Sequence, residues 1–409
     1  MCKDVILRRR FHMATTAGNI TKQLRTLVNS VPQKYLSINT KKPRNITRRG
    51  RYIYNNSINI IDKIKYNGVV FVETKKGNDR ITAYNGGKNS AYAIYADAGN
   101  DKINIHGGSV VIVDAGSGND TVNIYGGKSV GLIAGNGNDI ITIKGGSTIA
   151  VDSGSGNDTI YVKGGSTVGI IAGSGNDTIN LQKGNQRFIS ADAGNDEINI
   201  LAGSNHVIAT GTGDDIIKIS AGSKHIITGD SGNDKIYLNK GTGNGAIING
   251  GAGNDTIYIS KGSNHTIYSG SGRDTINVTG GNRQNLYLGS GKNSINISAA
   301  NTYIEQQSSK STDIITINWK SNIGKTVIDT VSKNSGYKDQ LIIKGANSND
   351  FKFIYGTESH ILAIAPSTDS QKYIAINGWW YNDAFSKITF DDKSLSYSDV
   401  YDKSTWVLK

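Results

Sequence analysis

Cysteine and proline are nearly absent from this chain of 409 residues, which has one cysteine and three prolines. A single cysteine, Cys2, cannot form an intramolecular disulfide, so any stability outside the cell must have another source. The prolines are Pro32, Pro43 and Pro366, so no proline interrupts strand pairing from 44 to 365. Glycine is abundant at 51 residues, which favours many tight turns between hydrogen-bonded strands.

Long apolar runs are lacking as well. No run reaches the roughly 18 apolar residues that a membrane helix needs. The first residues, MCKDVILRRRFHM, contain charges but no apolar stretch long enough for a signal peptide. The sequence therefore predicts either a cytoplasmic protein or one exported by a route that reads another part of the chain.

Acidic residues are scarce only at the start of the chain. Residues 1–76 hold 17 Lys and Arg against 3 Asp and Glu, a net charge of +14, whereas the remainder has a net charge of −2. We interpret 1–76 as a basic N-terminal arm that is solvated and poorly ordered, in preference to a nucleic-acid or anionic-surface site. Nucleic acid is accordingly not an expected partner.

A repeat occupies the middle of the chain. The triplet Gly-Asn-Asp or a close variant recurs at intervals of 19 residues, apart from one interval of 22 and one of 21. Asn293 stands another 19 residues on, where the motif has decayed. The aspartates of the triplets are Asp79, Asp101, Asp120, Asp139, Asp158, Asp177, Asp196, Asp215, Asp234, Asp255 and Asp274.

Each unit contains two short strands. Aliphatic residues stand two and four positions after each aspartate, as Ile160 and Val162 do after Asp158, which is the alternation of a half-buried strand. A second turn signal, such as Gly126-Gly127, precedes a second strand. Neither strand can bury its apolar side alone, but stacked units can. We therefore predict an all-β fold, a right-handed parallel β-roll or β-helix of about twelve coils across 77–300.

Stacking would align the aspartates in one file. Coils lie ~4.8 Å apart, and neighbouring carboxylates at that distance repel by about 3.5 kcal/mol at an effective dielectric constant of 20. A native state stable by only ~5–15 kcal/mol cannot carry some ten such pairs unless cations neutralise them. Lys and Arg do not recur at a matching interval, so a metal ion is the simpler explanation.

The donor set indicates which metal. Carboxylate and turn carbonyl oxygens suit Ca²⁺, and the absence of recurring cysteines argues against zinc. We predict all eleven triplet aspartates as calcium ligands. The triplet asparagines are expected to occupy the left-handed region of the turn. Asp97, Asp192 and Asp230 stand four residues before a triplet aspartate and are interpreted as an extra acidic position of the same turn.

Other constellations have simpler explanations than catalysis. His206, His225 and His265 each follow a triplet aspartate by ten residues, and we predict a surface column in preference to a transition-metal site. The string GKSVG at 127–131 matches the GxSxG motif, but the repeat places it in a turn. Carboxylate pairs such as Asp152 with Asp158, or Asp192 with Asp196, fit calcium turns better than acid–base catalysis. We therefore predict that the chain is not an enzyme.

The units resemble the RTX, or haemolysin-type, calcium-binding nonapeptide Gly-Gly-x-Gly-x-Asp-x-apolar-x, as in GSGNDTIYV and GAGNDTIYI. The resemblance implies that calcium bridges equivalent turns of adjacent coils and that the roll folds only with calcium. The second turn here lacks the acid usual in the family, which implies one file of calcium along one edge. The 19-residue unit is also similar to that of a calcium-dependent bacterial ice-binding domain. Its outward turn column holds one threonine here, Thr212, so we expect an ordinary solvated column.

Residues 301–409 resemble the haemolysin-type calcium-binding related domain that often follows such repeats. The resemblance implies a β-rich cap, to which Trp379 and Trp380 are suited, and an uncleaved C-terminal signal read by a type I secretion apparatus. A secreted bacterial protein would follow.

Three functions are compatible with these patterns. The first is a secreted calcium-binding module that folds outside the cell and serves as a surface, adhesive or toxin-associated protein with a cell-surface or polysaccharide target. The second is a haemolysin- or cytolysin-related toxin or a fragment of one, although 1–76 lacks the long apolar segments of pore-forming members. The third is a polysaccharide-modifying enzyme with RTX modules.

Overall fold

The structure is a computed structural model in which parts of the chain are described. Most of the predicted N-terminal arm, 1–44, lies outside the described residues. The described residues are 45–46, 50–54, 60–64, 68–84, 90–185, 187–321, 324–330, 338–356, 360–367, 371–379 and 385–407.

The chain divides into an N-terminal unit, 1–211, and a C-terminal unit, 212–409. In the N-terminal unit, successive strands alternate between two parallel sheets. The strands that begin in this unit are β1 (Asn45–Ile46), β2 (Gly50–Tyr54), β3 (Ile60–Ile64), β4 (Val69–Thr74), β5 (Arg80–Ala83), β6 (Ala91–Tyr95), β7 (Lys102–Ile105), β8 (Val110–Ser117), β9 (Thr121–Ile124), β10 (Ser129–Asn136), β11 (Ile140–Ile143), β12 (Thr148–Ser155), β13 (Thr159–Val162), β14 (Thr167–Ser174), β15 (Thr178–Leu181), β16 (Phe188–Ala193), β17 (Glu197–Ile200) and β18 (Val207–Thr212).

The C-terminal unit continues the same alternation and ends in a mixed region. Its last strands pair antiparallel, as β32 with β33 and β33 with β34 do. The strands are β19 (Ile216–Gly222), β20 (Ile226–Thr228), β21 (Lys235–Thr242), β22 (Ile247–Ala252), β23 (Thr256–Ile259), β24 (Thr266–Ser271), β25 (Thr275–Val278), β26 (Asn285–Leu288), β27 (Ser294–Ile297), β28 (Thr302–Gln306), β29 (Ile314–Asn318), β30 (Lys325–Asp329), β31 (Asp339–Lys344), β32 (Phe351–Gly356), β33 (Ile361–Pro366), β34 (Tyr373–Asn377), β35 (Phe385–Thr389), β36 (Ser394–Ser396) and β37 (Ser404–Val407). The helices are two 3-10 helices, Trp319–Ser321 and Ser348–Asp350, and α1, Tyr397–Lys403.

The strand register reproduces the sequence period. Ile141 pairs with Ile160, and Ile160 pairs with Ile179, so each residue lies beside its copy in the next coil. These three isoleucines are fully buried. Because burying one such side chain stabilises a protein by about 1.5–3 kcal/mol, the aliphatic columns supply the core. The predicted fold class is confirmed: the chain is nearly all-β, a parallel β-solenoid of about 13 turns with ~19-residue coils.

Parallel pairing is wider than the predicted roll. Upstream of residue 77, β1 pairs with β3 and β2 pairs with β4. Downstream of residue 300, β29 pairs with β27 and β31. The upstream strands lack the triplet and the downstream coils are longer than 19 residues. The 19-residue interval therefore could not predict that parallel pairing extends beyond 77–300. In the described part of the chain, no helix has the length and hydropathy to cross a membrane.

Candidate metal centre

The eleven predicted aspartates occupy one equivalent position in the coils of both units. Each stands directly before a strand of the sheet that contains β5, and each is at most 2% exposed. Asp139 and Asp158, for example, immediately precede Ile140 and Thr159, which pair with one another. The structure therefore brings the predicted aspartates of each unit into a buried file, because the coil period equals their spacing.

Two side chains of every typical triplet join adjacent coils in opposite directions. The backbone N–H of Asp139 donates to Asp158 Oδ1 at 2.7 Å, so each aspartate accepts from the coil before it. The backbone N–H of Asn157 donates to Asn138 Oδ1 at 2.7 Å, so each asparagine accepts from the coil after it. The expected left-handed asparagine is wrong, since among the described residues the turn's positive φ angles belong mainly to glycines. The asparagine instead satisfies an N–H group that the turn leaves unpaired.

The second carboxylate oxygen is left without a donor in much of the file. Burying a polar oxygen without a hydrogen bond costs about 1–3 kcal/mol, and more when the group is charged. Among the described residues, Oδ2 is buried with no hydrogen-bond partner in Asp101, Asp120, Asp139, Asp177, Asp234 and Asp255.

The same burial changes the acidity of the file. Burial, with a smaller contribution from neighbouring carboxylates, raises the pKa of Asp101 to about 7 and that of Asp120 to about 8. In the C-terminal unit, burial and the carboxylates of Asp255 and Asp215 raise the pKa of Asp234 to about 8. The accepted backbone hydrogen bond lowers each pKa but does not offset burial. Desolvation therefore exceeds the like-charge repulsion on which the sequence argument depended.

The file continues past the last predicted member. Asp274 N–H donates to Asn293 Oδ1 at 3.1 Å, Asn293 N–H donates to Asp313 Oδ1 at 3.1 Å, and Asp313 N–H donates to Asp339 Oδ1 at 2.6 Å. Here amides satisfy the carboxylates: Gln306 Nε2 donates to Asp339 Oδ2 at 2.6 Å. Asp313 and Asp339 were missed because they follow at intervals of 20 and 26 residues.

The donors present fit a hard divalent cation. In the described part of the chain, no three His, Cys, Asp or Glu side chains converge to hold a metal ion. A cation in the file would therefore need main-chain carbonyls as well as the free Oδ2 atoms. Main-chain carbonyls lie near these oxygens: a Cβ atom added at Gly229 would lie 2.2 Å from Asp234 Oδ2 and 2.4 Å from Gly250 O. Ca²⁺ prefers such an all-oxygen set of 6–8 ligands.

Comparison with known proteins identifies these turns. The model of the RTX calcium-binding nonapeptide repeat matches four segments, 170–185, 226–244, 247–265 and 264–284. The chain carries RTX calcium-binding repeats. A solved structure of a hyperactive, Ca²⁺-dependent, β-helical antifreeze protein from an Antarctic bacterium is similar at a TM-score of 0.41 and 17% identity, covering 88% of this chain and 96% of that chain. No curated protein matches the chain.

The RTX turn requires glycine where adjacent coils meet. Gly137 has φ 131°, and a Cβ atom there would lie 2.1 Å from Gly118 O. Gly169, in a strand of the same unit, has nothing within 4 Å of such an atom.

We expect Gly137→Ala to lower the free energy of unfolding by at least about 2 kcal/mol, because it adds a clash to an unfavourable φ angle. Gly169→Ala is the matched control and should change it by less than about 0.5 kcal/mol. Urea unfolding in saturating calcium measures both. Equal effects would contradict the steric role of Gly137.

The histidine column is inside the RTX roll, so the predicted surface column is wrong. His206, His225 and His265 are all 0% exposed. Val168 and Arg187 hold the same inward position in earlier coils of the N-terminal unit. The alternation of side chains along the strand places this position inward. The equivalent residues of earlier coils are valine and isoleucine, and these apolar residues were the sequence signal of an inward position.

The side chains of His206 and His265 accept backbone hydrogen bonds within the interior, and Arg187 N–H donates to His206 Nδ1 at 3.3 Å. Ala246 N–H donates to His265 Nδ1 at 3.1 Å, and His265 N–H donates to Gln284 Oε1 at 3.1 Å. Burial lowers the pKa of His265. Burial, followed by the charge of Arg187, lowers the pKa of His206 to about 4. His206, His265 and Gln284 therefore each accept a backbone N–H of the preceding coil, so histidine and glutamine play equivalent roles in the column.

The remaining motifs lie on the turns and outer strand positions. The GxSxG string passes from a turn into β10, whereas a nucleophile elbow leads into a helix. Asp97, Asp192 and Asp230 have φ angles of 67°, 74° and 68°, and Asp192 pairs with Gly173. They thus replace glycine in a left-handed column. Their predicted calcium role stays a prediction, as does the ligand role of the eleven buried aspartates.

Proposed function

We propose that this RTX protein is secreted, folds when it binds calcium outside the cell, and serves as a surface, adhesive or toxin-associated module rather than as an enzyme. The observation that supports the folding step is the file of buried carboxylates. Carboxylates along the file, such as those of Asp120 and Asp158, accept one backbone hydrogen bond through Oδ1, and in six of them Oδ2 lacks a donor among the described residues. A chain that leaves so many buried oxygens without partners needs a ligand to complete its core.

Calcium would supply positive charge and oxygen coordination at these turns. The aspartates would hold it through Oδ2, and main-chain carbonyls such as Gly250 O, which lies near Asp234 Oδ2, would complete the set. Oδ1 of each aspartate stays committed to the backbone of the preceding coil, which keeps the carboxylate oriented. The asparagine bonds on the outside of the turn fix the coil spacing independently. The roll thus provides orientation and exclusion of water.

Calcium concentration would then decide where the chain folds. Extracellular calcium modules bind at ~10⁻⁴–10⁻³ M, so a site of this class is empty at low cytosolic calcium. Because the ligands are assembled only in the folded state, binding free energy adds to folding free energy. An unfolded chain suits passage through a type I secretion apparatus, for which we propose a signal within 301–409. A fusion of 301–409 to a reporter, expressed with and without that apparatus, tests the export step.

Circular dichroism of the full chain during a calcium titration tests the folding step. We expect the β signal to rise cooperatively with calcium and to rise less with Mg²⁺, which demands octahedral geometry and releases its water reluctantly. A β signal already complete in excess chelator would contradict the proposal.

A further inference from the structure

The two sheets of the N-terminal unit expose opposite charges. One sheet carries Asp114 and Asp152 in an outward column; Glu73 holds the same position in an earlier coil but is buried and ion-paired with Lys75. We define the basic face as the outward residues of the other sheet between Arg80 and Gln182. It exposes four cations and, among the described residues, no Asp or Glu. The cations are Arg80, Lys102, Lys144 and Lys163.

An aromatic column crosses this face at the coil spacing. The ring centroids of Tyr84 and His106 are 4.8 Å apart with an interplanar angle of 7°, and those of His106 and Tyr125 are 4.4 Å apart with an angle of 2°. Lys144 Nζ lies 4.5 Å from the centroid of the Tyr125 ring, and Lys163 Nζ lies 5.6 Å from that of Tyr161. Ring contacts of this kind restrain the two lysines. His106 therefore has a ring on each face, and Tyr125 has His106 on one face and Lys144 near the ring.

Neutral hydrogen-bonding groups fill the space between the cations. Asn123 Nδ2 donates to Asn104 Oδ1 at 3.1 Å in one outward column, and Thr121 and Thr159 stand in the next. The four cations form no ion pair with any residue that the structure describes. The face is thus an array of amides and hydroxyls at a coil spacing of ~4.8 Å, with four cations that have no ion-pair partner among the described residues.

We propose that the basic face binds an acidic polysaccharide, whose hydroxyls the amides and tyrosine edges would bond and whose carboxylates the four cations would pair. This inference rests on the proposed function, since it names the partner of the surface module. Single-stranded nucleic acid is a poorer match because bases stack on free ring faces, and these faces are covered. An anionic membrane is a poorer match because Ile140 is the one aliphatic side chain of the face, within the described residues, that is strongly exposed.

Binding of the calcium-loaded full chain to immobilised hyaluronan tests the proposal. We expect Lys144→Gln/Lys163→Gln to weaken binding roughly tenfold, with a further loss on adding Arg80→Gln/Lys102→Gln. Lys128→Gln/Lys183→Gln is the matched control, because it removes the same charge from exposed turn positions outside the face. It should change binding less than twofold.

Neutral dextran, poly-L-glutamate, single-stranded DNA and anionic vesicles serve as competing probes. Preference for hyaluronan over all four supports the proposal. Equal binding of the quadruple variant, or equal or stronger binding to any of the four probes, would overturn it. Circular dichroism on the same samples separates the two proposals: a chain that folds with calcium but ignores hyaluronan defeats only this inference, whereas a chain that calcium does not fold defeats the proposed function.

Discussion

Metal-stripped protein is expected to recover β structure as the pH is lowered from about 9 to about 6.5, and calcium-loaded protein is expected to lose stability over the same range. The first effect comes from the buried carboxylates. In the folded chain the pKa of Asp120 and that of Asp234 are raised to about 8 from 3.8. A group with a raised carboxyl pKa destabilises the folded state fully above that pKa. The penalty falls as pH drops through it and vanishes below the unfolded value.

Each such group changes the free energy of unfolding by up to about 1.4 kcal/mol per pH unit between its two pKa values. Asp101 and Asp158, with pKa values raised to about 7, contribute in the lower part of the range. Calcium reverses the sign because protons then compete with the metal for the same oxygens.

The range ends near pH 6.5 because the buried histidines act oppositely below it. The pKa of His206 is lowered to about 4, so its neutral form is favoured in the folded chain and stability is lost as pH falls below the unfolded value. Circular dichroism and urea unfolding across the range, with and without calcium, measure the crossover. A pH dependence of the same sign in both conditions would count against the carboxylate file as the metal site.

The architecture could be predicted because the constant repeat interval determines how the coils stack. A constant 19-residue spacing places every copy beside the next, and alternation after Asp158 assigns Ile160 and Val162 to the interior. From those two facts follow the parallel sheets and the alignment of the aspartates in one file, whereas the burial of the aspartates was not predicted. Asp313 and Asp339 could not be found this way, because loops of unequal length separate them from the repeat although their backbone contacts are the same.

The sequence pattern also could not predict the hydrogen bonds of the turn. An asparagine beside glycine is typical of a left-handed turn, but here Asn138 accepts an N–H from the next coil. Residue type alone does not separate these roles, since each depends on a neighbour that only stacking supplies. The histidines were misplaced for a similar reason: polarity suggested the surface, whereas the column of Val168 and Arg187 points inward.

Replacing aspartates of the buried file with asparagine is expected to have opposite effects on stability with and without calcium. Asn293 shows that the file accepts an amide: it takes the N–H of Asp274 at 3.1 Å and donates to Asp313 Oδ1 at 2.9 Å. The variant Asp120→Asn/Asp139→Asn/Asp158→Asn would reproduce that arrangement in the N-terminal unit.

In chelator we expect the free energy of unfolding of this variant to exceed that of the parent by about 1–3 kcal/mol per substituted aspartate. Each amide replaces a desolvated carboxylate that lacks a cation. In calcium we expect it to be less stable by about 3–5 kcal/mol per lost site, because a bound divalent ion would lose its charged partner. Calcium-dependent urea unfolding measures both terms. Asp402→Asn, which removes one exposed negative charge on α1, should leave both states unaltered.

The sign is what discriminates between the two roles of these aspartates. If they served only as hydrogen-bond acceptors for the preceding coil, an asparagine oxygen would do the same work, and the variant would resemble the parent in calcium. If they served only as buried charges, stability would rise in both conditions. A gain without calcium combined with a loss in calcium requires a carboxylate that binds backbone through one oxygen and metal through the other. In this file Oδ1 of Asp139 and Asp158 accepts the backbone hydrogen bond, and Oδ2 of Asp139 has no hydrogen-bond partner among the described residues, which is the arrangement that such a dual role needs.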